Sequence, residues 1–320
     1  MSIIVQKEGI LSTVQDLGRS GFRSSGINPG GAMDKIAARL INVLLGNNES
    51  EAVLEMHFPA PEILFEKDAV FALGGADFGA KLNNKNLENW KSYFAEKRSV
   101  LKFMGKNFGN RAYFSVSGGF EIEKWLGSAS TNLTAEIGGF RGRHLQKRDR
   151  LGFKQKIIDI KQKFNYKIAG SLIPFYSRFP TVRAVAGAEF ELLEASSEQF
   201  FSRQSFTITQ NSNRMGFRLE GAPLELLRNK ELVSSAVSFG TIQLLPDGQM
   251  IILMADHQTS GGYPRIANVC EIDLPLVAQL GANDKIAFHI ISLEEAENLF
   301  LQREFELNFL KFGIQIKLHR

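Results

Sequence analysis

Short apolar runs separated by glycine-containing turns dominate the pattern of hydrophobic and polar positions in this chain. Residues 52–119 contain several such runs and residues 182–255 contain several more, while stretches with helical spacing are few. Many short strands at close spacing are typical of a β-barrel or a β-sandwich rather than of an alternating α/β fold. The pattern therefore predicts a mainly β protein with a few short helices.

Helical spacing is clearest near residue 36 and again near the C-terminus. Apolar residues recur at positions 36, 40, 43 and 44, and Asp34 precedes them as a suitable N-cap. Near the C-terminus, Ser292 and Glu295 have capping-box spacing and predict an amphipathic helix that ends near Gln302.

The length of 320 residues predicts two domains or one large β domain. Two β-rich halves flank a segment in which lysine alternates with isoleucine and phenylalanine. We predict an N-terminal domain at 1–153, a connector at 154–167 and a C-terminal domain at 168–320.

Pairs of glycine or asparagine mark the predicted turns of the N-terminal half. Asn83-Asn84 lies between two short runs and predicts a hairpin turn. Gly74-Gly75 and Gly118-Gly119 follow predicted strands, and no glycine-rich segment ends in the Gly-Lys-Ser or Gly-Lys-Thr of a P-loop. Both glycine pairs are therefore predicted to be turns rather than phosphate-binding loops.

Composition and charge restrict the classes of partner only mildly. The net charge is +4, and the lysines are scattered, which argues against nucleic-acid binding. Cys270 is the single cysteine, so an intrachain disulfide is excluded and a reducing compartment fits. No leader opens the chain, and no apolar run approaches about 18 residues, so we predict a soluble, cytoplasmic protein without membrane contact.

The densest group of polar residues follows a predicted strand that ends at Met254. A turn needs only the freedom that Gly261-Gly262 supplies, so the polar side chains before these glycines suggest a functional loop. A hydrophilic hairpin loop is the alternative. The polar side chains are those of Asp256, His257, Gln258, Thr259 and Ser260.

Five stretches, in order along the chain, resemble the biotin-dependent carboxyltransferase-like family: residues 13–19, 29–34, 73–77, 213–219 and 255–264. This family includes the C-type subunit of bacterial 5-oxoprolinase, the Kip-type antagonist of a sporulation-kinase inhibitor and the matching region of urea amidolyase. The likeness extends from about Gly9 to Phe288. Gly30 and Ser260 stand where the family usually has serine and threonine, and Gly30 removes a hydroxyl.

The resemblance implies two tandem cyclophilin-like β-barrel domains and a component of a multi-protein enzyme. The implied function is that of the C-type subunit in an ATP-dependent 5-oxoprolinase, which opens 5-oxoproline to L-glutamate. The implied partners are proteins that resemble the B-type and A-type subunits, with ATP and Mg shared among the components. Biotin is not expected on this chain, because it has no Met-Lys-Met context. A carboxyltransferase component for a urea-like substrate, and a non-catalytic regulator that binds a B-type or Kip-type inhibitor partner, remain alternatives.

Lactam opening needs donors for a developing oxyanion and a group that exchanges a proton, because resonance makes the amide carbonyl a poor electrophile. The two guanidiniums in the resembling motifs suit bidentate anion recognition, and an imidazole can exchange a proton near neutral pH. The candidate catalytic residues are therefore His257, Asp256, Gln258 and Thr259, and the candidate substrate-binding or anion-binding residues are Arg19, Arg214, Asp16, Gln15 and Tyr263.

Several candidates also have a structural interpretation. Asp16 and Arg19 could form an ion pair that holds a loop, and Asp34 is first of all an N-cap. No metal site is predicted, because the other four histidines lack metal-ligand spacing.

The arrangement of the motifs leads to one geometric expectation. We expect the turns around Gln15, Met33, Asp77 and Arg214 to meet residues 256–263 in one site at one end of a barrel.

Overall fold

Strands and turns make up most of the computed structural model, which describes residues 1–154, 166–228 and 232–318. The chain divides into two compact units. The N-terminal unit contains Met1–Arg19, Gly30–Pro174 and Phe305–Arg320, and the C-terminal unit contains Ser20–Pro29 and Phe175–Glu304. The prediction of a mainly β fold with few helices is confirmed.

The predicted domain ranges, 1–153 and 168–320, differ from these units because each unit contains separate pieces of the chain. Ser20–Pro29 belongs to the C-terminal unit, and Phe305–Arg320 belongs to the N-terminal unit. Hydrophobic spacing shows that a segment has an apolar face but not which part of the protein covers that face. Residues 155–165 of the predicted connector lie outside the described residues.

Two antiparallel sheets form the N-terminal unit. Its strands are β1 (Ser2–Lys7), β2 (Ser12–Gln15), β3 (Val53–Met56), β4 (Glu62–Phe65), β5 (Ala69–Asp77), β6 (Ala80–Leu82), β7 (Lys85–Asn86), β8 (Ser92–Ala95), β9 (Val100–Phe103), β10 (Phe108–Val116) and β11 (Arg150–Gly152). One sheet has the strand order β11-β1-β4-β9-β6-β7, and the other has the order β2-β3-β10-β5-β8.

The two sheets of the N-terminal unit share one hydrophobic core. Phe65 of the six-stranded sheet has its ring centroid 5.2 Å from that of Phe71, which belongs to the five-stranded sheet. Phe114 lies on the strand next to Phe71, with 5.7 Å between the ring centroids. We predicted a barrel for this unit. Its described strands instead form two sheets that pack face to face.

A closed barrel forms the C-terminal unit, as the prediction of a β-barrel requires. Its strands are β12 (Thr181–Ala186), β13 (Ser205–Ile208), β14 (Gly216–Glu220), β15 (Ser235–Ala236), β16 (Thr241–Leu244), β17 (Met250–Leu253), β18 (Ser260–Gly261), β19 (Arg265–Val269) and β20 (Lys285–Ile291). The barrel order is β12-β19-β16-β17-β14-β13-β20, and β12 and β20 pair in parallel. Strands β15 and β18 form a separate two-stranded sheet.

The α-helices of the described chain are α1 (Lys35–Leu44), α2 (Ala195–Arg203), α3 (Leu274–Ala278) and α4 (Leu293–Leu318). Helix α1 begins as predicted, because the Asp34 carboxylate accepts a hydrogen bond from the Ala37 amide at 2.9 Å. Helix α4 begins with the predicted cap, in which the Glu295 amide donates to Ser292 Oγ at 3.1 Å. Its predicted end near Gln302 is wrong, since the helix continues to Leu318. None of the described helices combines the length and apolar character needed to cross a membrane.

A carboxylate in the N-terminal unit gives a testable pH dependence. Arg143 donates to both oxygens of Asp149, at 2.6 and 2.8 Å, and the Gln146 amide donates at 2.7 Å. Burial acts to raise the pKa of Asp149, but the hydrogen bonds from Arg143 and the Gln146 amide outweigh it and lower the pKa overall. The contacts of a carboxylate with a lowered pKa stabilise the fold above its unfolded-state pKa of about 3.9 and lose that effect as the pH falls.

We therefore expect Asp149→Asn to lower the free energy of unfolding by about 1–3 kcal/mol at neutral pH. The difference from the wild type should shrink as the pH falls below about 4. Urea denaturation over a series of pH values measures this difference. Asp68→Asn is a matched control, because the exposed Asp68 accepts a bond from the Lys97 amide that asparagine can also accept. An Asp149→Asn effect that is independent of pH would contradict the prediction.

Candidate functional site

An arginine–aspartate pair lies at the start of the polar turn in the C-terminal unit. Arg214 donates through Nε to Asp256 Oδ2 at 2.8 Å and through Nη2 to Oδ1 at 3.1 Å. The side chains are only 9% and 13% exposed, respectively. The bidentate contact fixes the plane of the guanidinium in an environment that largely excludes water.

The barrel register explains why these two residues meet. Strands β14 and β17 are neighbours, with Gly216 opposite Leu253. Arg214 precedes β14 and Asp256 follows β17, so both lie at the same end of this strand pair. The Asp256 amide also donates to the Arg214 carbonyl at 2.8 Å, which continues the contact between the chain segments beyond the strands. The predicted meeting of the Arg214 turn with the turn that contains His257 is therefore seen in the structure.

Contacts with backbone carbonyls hold both the main chain and the ring of His257. It is 1% exposed, and its amide donates to the Met254 carbonyl at 3.0 Å. Its Nδ1 atom contacts the carbonyl oxygen of Gln258. A carbonyl oxygen can only accept, so we assign the proton of the neutral ring to Nδ1. The Nδ1 side of the imidazole is therefore occupied by a backbone carbonyl.

The amide of Gln258 is linked to a second glutamine, which sequence analysis did not identify. Gln258 Nε2 donates to Gln243 Oε1 at 3.4 Å, and Gln243 Nε2 donates to the Tyr263 carbonyl at 3.4 Å. Gln243 is 1% exposed and belongs to β16, whose other residues are also buried. A glutamine within a buried strand is the sequence signal that could have revealed it, because a buried amide needs hydrogen-bond partners.

Thr259 and Tyr263 occupy more open positions in the same turn. Thr259 is half-buried, and its carbonyl accepts from the Val237 amide at 3.3 Å. Tyr263 is 46% exposed and lines a groove of about 1040 Å³. Pro223 and Pro246 also line this groove. Tyr263 is thus available to an external molecule, whereas Asp256 and His257 are largely enclosed.

Asp16 organises a separate cluster in the N-terminal unit. Its Oδ1 accepts from Ser128 Oγ and Ser130 Oγ, each at 2.6 Å, and from the Gly18 amide at 2.8 Å. Its Oδ2 accepts from the Ala129 amide at 2.6 Å. These four donors commit the carboxylate to holding the chain at residues 128–130. Ser128 and Ser130 were not singled out from the sequence, because only the folded chain brings them to Asp16.

Arg19 and Gln15 bind backbone carbonyls of the same loop, those of Ser130 and Thr131. Arg19 is 3% exposed and donates through Nη2 to the Ser130 carbonyl at 2.6 Å. Its guanidinium carbon lies 5.0 Å from the ring centroid of Trp125, a cation–π contact. Gln15 Nε2 donates to Thr13 Oγ1 at 3.0 Å and to the Thr131 carbonyl at 3.3 Å. All three motif residues of this loop thus have contacts that fix the loop itself.

The glycine-rich loop before α1 packs directly on the Asp16 turn. The Ala32 amide donates to the Asp16 carbonyl at 2.8 Å. Gly31 has a φ of 98°, and a Cβ atom there would lie 2.9 Å from the Gly18 amide nitrogen. Only glycine accepts both this backbone conformation and this close approach. The predicted meeting of the Gln15 and Met33 turns is therefore seen in the structure.

A buried tyrosine and glutamate fix the other side of this loop. Tyr113 donates to Glu55 Oε2 at 2.7 Å and accepts from the Asp34 amide at 2.8 Å. The Met33 amide donates to the same glutamate oxygen at 2.8 Å. Burial, reinforced by the negative charges of Glu55 and Asp34, raises the pKa of Tyr113 well above its usual value. The phenol thus stays protonated as a donor, and Asp34 serves as the N-cap rather than as a ligand.

Asp77 lies at the opposite end of the five-stranded sheet from Gln15, so the expectation that the turns around these two residues meet is wrong. Gln15 pairs with Val53 on β3. The register across β10 places Ala72 of β5 in the same row of the sheet. Asp77 follows Ala72 by five residues, which is about 17 Å along a strand. Its carboxylate accepts from the Gly79 amide at 2.8 Å and from Asn107 Nδ2 at 2.9 Å, so it stabilises a local turn.

The candidate residues thus form two clusters. Gln15, Asp16 and Arg19 belong to the N-terminal unit, and Arg214 with residues 256–263 belongs to the C-terminal unit. The convergence of the two clusters on one site stays a prediction.

The candidate carboxylates do not fit a Mg–nucleotide site. Asp16 already accepts four hydrogen bonds from its own chain, and both oxygens of Asp256 face the positive guanidinium of Arg214. A cation beside that guanidinium would meet electrostatic repulsion. Within the described residues, no group of three or more His, Cys, Asp or Glu side chains is placed to hold a metal ion.

Comparison with known proteins identifies the family. The family model "Carboxyltransferase domain, subdomain A and B" matches residues 25–290. The chain belongs to this carboxyltransferase family. The family resemblance expected from the five motifs is therefore confirmed.

Two bacterial relatives match this carboxyltransferase-family chain over nearly its whole length. The C-type subunit of 5-oxoprolinase from Haemophilus influenzae is 38% identical over 300 residues, which cover 94% of either chain. The C-type subunit of 5-oxoprolinase from Escherichia coli is 37% identical over 294 residues, which cover 91% of either chain.

A solved eukaryotic relative has the same fold within a larger protein. The structure of the K. lactis urea amidolyase matches 97% of this chain with a TM-score of 0.90 and 26% identity. The match covers 20% of the urea amidolyase chain, so this carboxyltransferase-family chain spans about a fifth of that protein.

Proposed function

We propose that this chain is the C-type subunit of an ATP-dependent 5-oxoprolinase, which opens 5-oxoproline to L-glutamate together with partner proteins. The observation that carries the proposal is the identity of 38% to a 5-oxoprolinase component of this type over 94% of both chains. The match extends over nearly the whole of both chains. The partners are one protein that resembles the B-type subunit and one that resembles the A-type subunit.

We assign the chemistry of ring opening to the C-terminal cluster. Hydrolysis adds water across the lactam C–N bond, so the ring nitrogen must gain a proton as that bond breaks. We assign the transfer of this proton to Nε2 of His257, since Nδ1 is directed at the Gln258 carbonyl. The Gln258 amide, oriented by Gln243, can donate to the carbonyl oxygen as negative charge develops there.

The arginine of this cluster acts through its orientation. Asp256 holds the Nε and Nη2 edge of Arg214, so the direction of the guanidinium is set before a substrate arrives. A guanidinium held in this way can attract the carboxylate of 5-oxoproline at little entropic cost. Asp256 is then a positioning residue for Arg214 rather than a general base.

We assign ATP and its Mg to the partner proteins. The carboxylates of both clusters are committed to hydrogen bonds and an ion pair, and the chain has no P-loop. Biotin, likewise, is not expected on this chain. The role of this chain is then to bind and open the lactam, while its partners supply nucleotide chemistry.

A carboxyltransferase component for a urea-like substrate is the second candidate. The observation that favours it is the TM-score of 0.90 to the urea amidolyase structure over 97% of this chain.

A non-catalytic regulator that binds a B-type partner would need the same surfaces but no proton exchange at His257.

One assay separates these functions. The chain is co-expressed with its A-type and B-type partners, the complex is isolated, and ATP hydrolysis is measured with 5-oxoproline, with urea and with neither. We expect 5-oxoproline to stimulate hydrolysis and glutamate to form in equal amount, with no stimulation in the complex that lacks this chain. If 5-oxoproline does not stimulate ATP hydrolysis by the assembled complex, the proposal is wrong. Stimulation by urea in the presence of a biotinylated carrier would favour the second candidate.

A further inference from the structure

An exposed apolar stripe runs along helix α4. Six large apolar side chains on this helix are between 40% and 73% exposed, and five of them form the stripe. Because successive helical residues are about 100° apart, the five fall within an arc of about 80°. At about 1.5 Å per residue, the stripe is about 22 Å long. It consists of Leu301, Phe305, Phe309, Phe312 and Ile316.

The stripe is not the face by which the part of α4 from Phe305 onward packs within the N-terminal unit. Leu307 and Ile314, on the other side of the helix, are only 2% and 7% exposed. Lys311 Nζ lies 3.7 Å from a carboxylate oxygen of Glu49, which also ties the helix to the N-terminal unit. Helix α4 therefore has two apolar faces, one used within the chain and one open to another molecule. Exposed apolar surface of this extent marks an interaction site.

We propose that two copies of this chain associate through the stripe, with the two α4 helices antiparallel. A two-fold axis requires one patch to complement itself. If the axis passes between Asn308 and Phe309, Leu301 of one copy lies opposite Ile316 of the other. The same register places Phe305 opposite Phe312. Apolar side chains therefore face apolar side chains at both ends of the contact.

The charges along α4 decide between antiparallel and parallel pairing. From residue 294 to residue 306 the helix carries five glutamates and one arginine. From 307 to 318 it carries two lysines, Lys311 and Lys317, and no acidic residue. Antiparallel pairing brings the acidic half of one helix beside the basic half of the other, whereas parallel pairing brings like charges together.

The exposed apolar area of the stripe approaches what a specific dimer buries when the flanking residues are included. At roughly 200 Å² for each phenylalanine, exposures of 73%, 71% and 63% at Phe305, Phe309 and Phe312 amount to roughly 400 Å² per copy. Two copies then bury roughly 800 Å² of phenylalanine surface. Leu301, Ile316 and the polar residues beside the stripe raise the total toward the roughly 1,200 Å² at which specific interfaces begin.

A lipid surface fits the stripe less well than a second copy. Helices that lie on membranes usually carry lysine and arginine beside the apolar face. The five glutamates in the first half of α4 would instead be repelled by anionic headgroups.

The mass of the full-length chain in solution tests the proposal. Sedimentation equilibrium over a roughly hundredfold range of concentration should show a mass that rises from 35.7 kDa toward twice that value. The double variant Phe305→Ser and Phe309→Ser should stay at the single-chain mass over the whole range. Phe175→Ser is the matched control, because Phe175 is 86% exposed but lies outside α4, and it should dimerise as the wild type does.

Cysteine cross-linking tests the antiparallel register. Residues 301 and 316 of one helix are about 22 Å apart, too far for a disulfide within one chain. The double variant Leu301→Cys and Ile316→Cys should give a covalent dimer on oxidation, and Leu301→Cys alone should not. A disulfide formed by Leu301→Cys alone would overturn the antiparallel arrangement.

Three results would overturn the proposal itself. The wild-type chain could remain at the single-chain mass at every concentration. It could form a dimer that the two phenylalanine substitutions leave intact, which would place the interface elsewhere. It could remain monomeric while the same substitutions remove an A-type or B-type partner from the co-expressed complex, which would assign the stripe to that partner.

Discussion

Asp256→Ala is expected to lower the free energy of unfolding by about 3–5 kcal/mol, the cost of removing one member of a buried ion pair. Asp256 faces the Arg214 guanidinium through two hydrogen bonds of 2.8 and 3.1 Å, and both side chains are largely buried. Its loss leaves a positive charge in surroundings that water does not readily reach. Urea denaturation of the isolated chain measures the effect.

A double-mutant cycle distinguishes this charge effect from a loss of packing. Arg214→Met removes the charge and keeps an unbranched side chain, so adding it to Asp256→Ala should recover part of the lost stability. The coupling energy should lie at about 2 kcal/mol or more. Glu88→Ala is the surface control, because Glu88 and its partner Lys167 are 67% and 59% exposed, and it should leave the free energy of unfolding nearly unchanged. Effects of the Arg214 and Asp256 substitutions that simply add would contradict a coupled pair.

The features that sequence predicted well depend on neighbours in the chain. The Asp34 carboxylate caps α1 through the Ala37 amide, three residues away. Asn83 and Asn84 form the turn between β6 and β7 with φ values of 47° and 69°. Asparagine adopts such positive φ values more readily than most residues. Both features could be predicted because all the atoms involved lie within a few residues.

Gly74 shows why a prediction from neighbouring residues fails where distant residues decide the structure. We predicted Gly74-Gly75 as a turn, and this is wrong, because both residues lie within strand β5. A Cβ atom on Gly74 would lie 2.6 Å from Ile41 Cγ2 and 2.8 Å from Trp90 Cζ3. Gly74 therefore makes room for side chains far away in sequence, and no pattern of neighbouring residues reports that requirement.

The candidate site also contains residues that the sequence could predict and residues that it could not. The sequence placed Arg214 and His257 in polar turns, and the pairing of β14 with β17 then brought these turns together. Gln243, Ser128 and Ser130 orient the candidate residues, yet none of the three was among the predicted site residues. Residues that act by orienting another side chain are recognised from contacts, which sequence alone does not supply.

The largest expected effect on activity, which rests on the proposed function, belongs to His257. His257→Asn keeps a donor near the position of Nδ1 and removes Nε2, so the bond to the Gln258 carbonyl can persist. We expect this variant to lower turnover of the assembled complex by about 10²–10⁴-fold, the usual contribution of a positioned acid or base. Glutamate release from 5-oxoproline, measured with excess ATP, gives the turnover.

His257→Gln separates proton exchange from hydrogen bonding, because its amide can reach the position of Nε2 but does not titrate. A loss as large as that of His257→Asn indicates proton exchange, whereas turnover near the wild-type value would reject that role. His289→Gln is the control, since His289 is exposed on β20 and should tolerate the change. Disassembly of the complex by either His257 variant would instead support an interface role for the turn, as the regulator alternative requires.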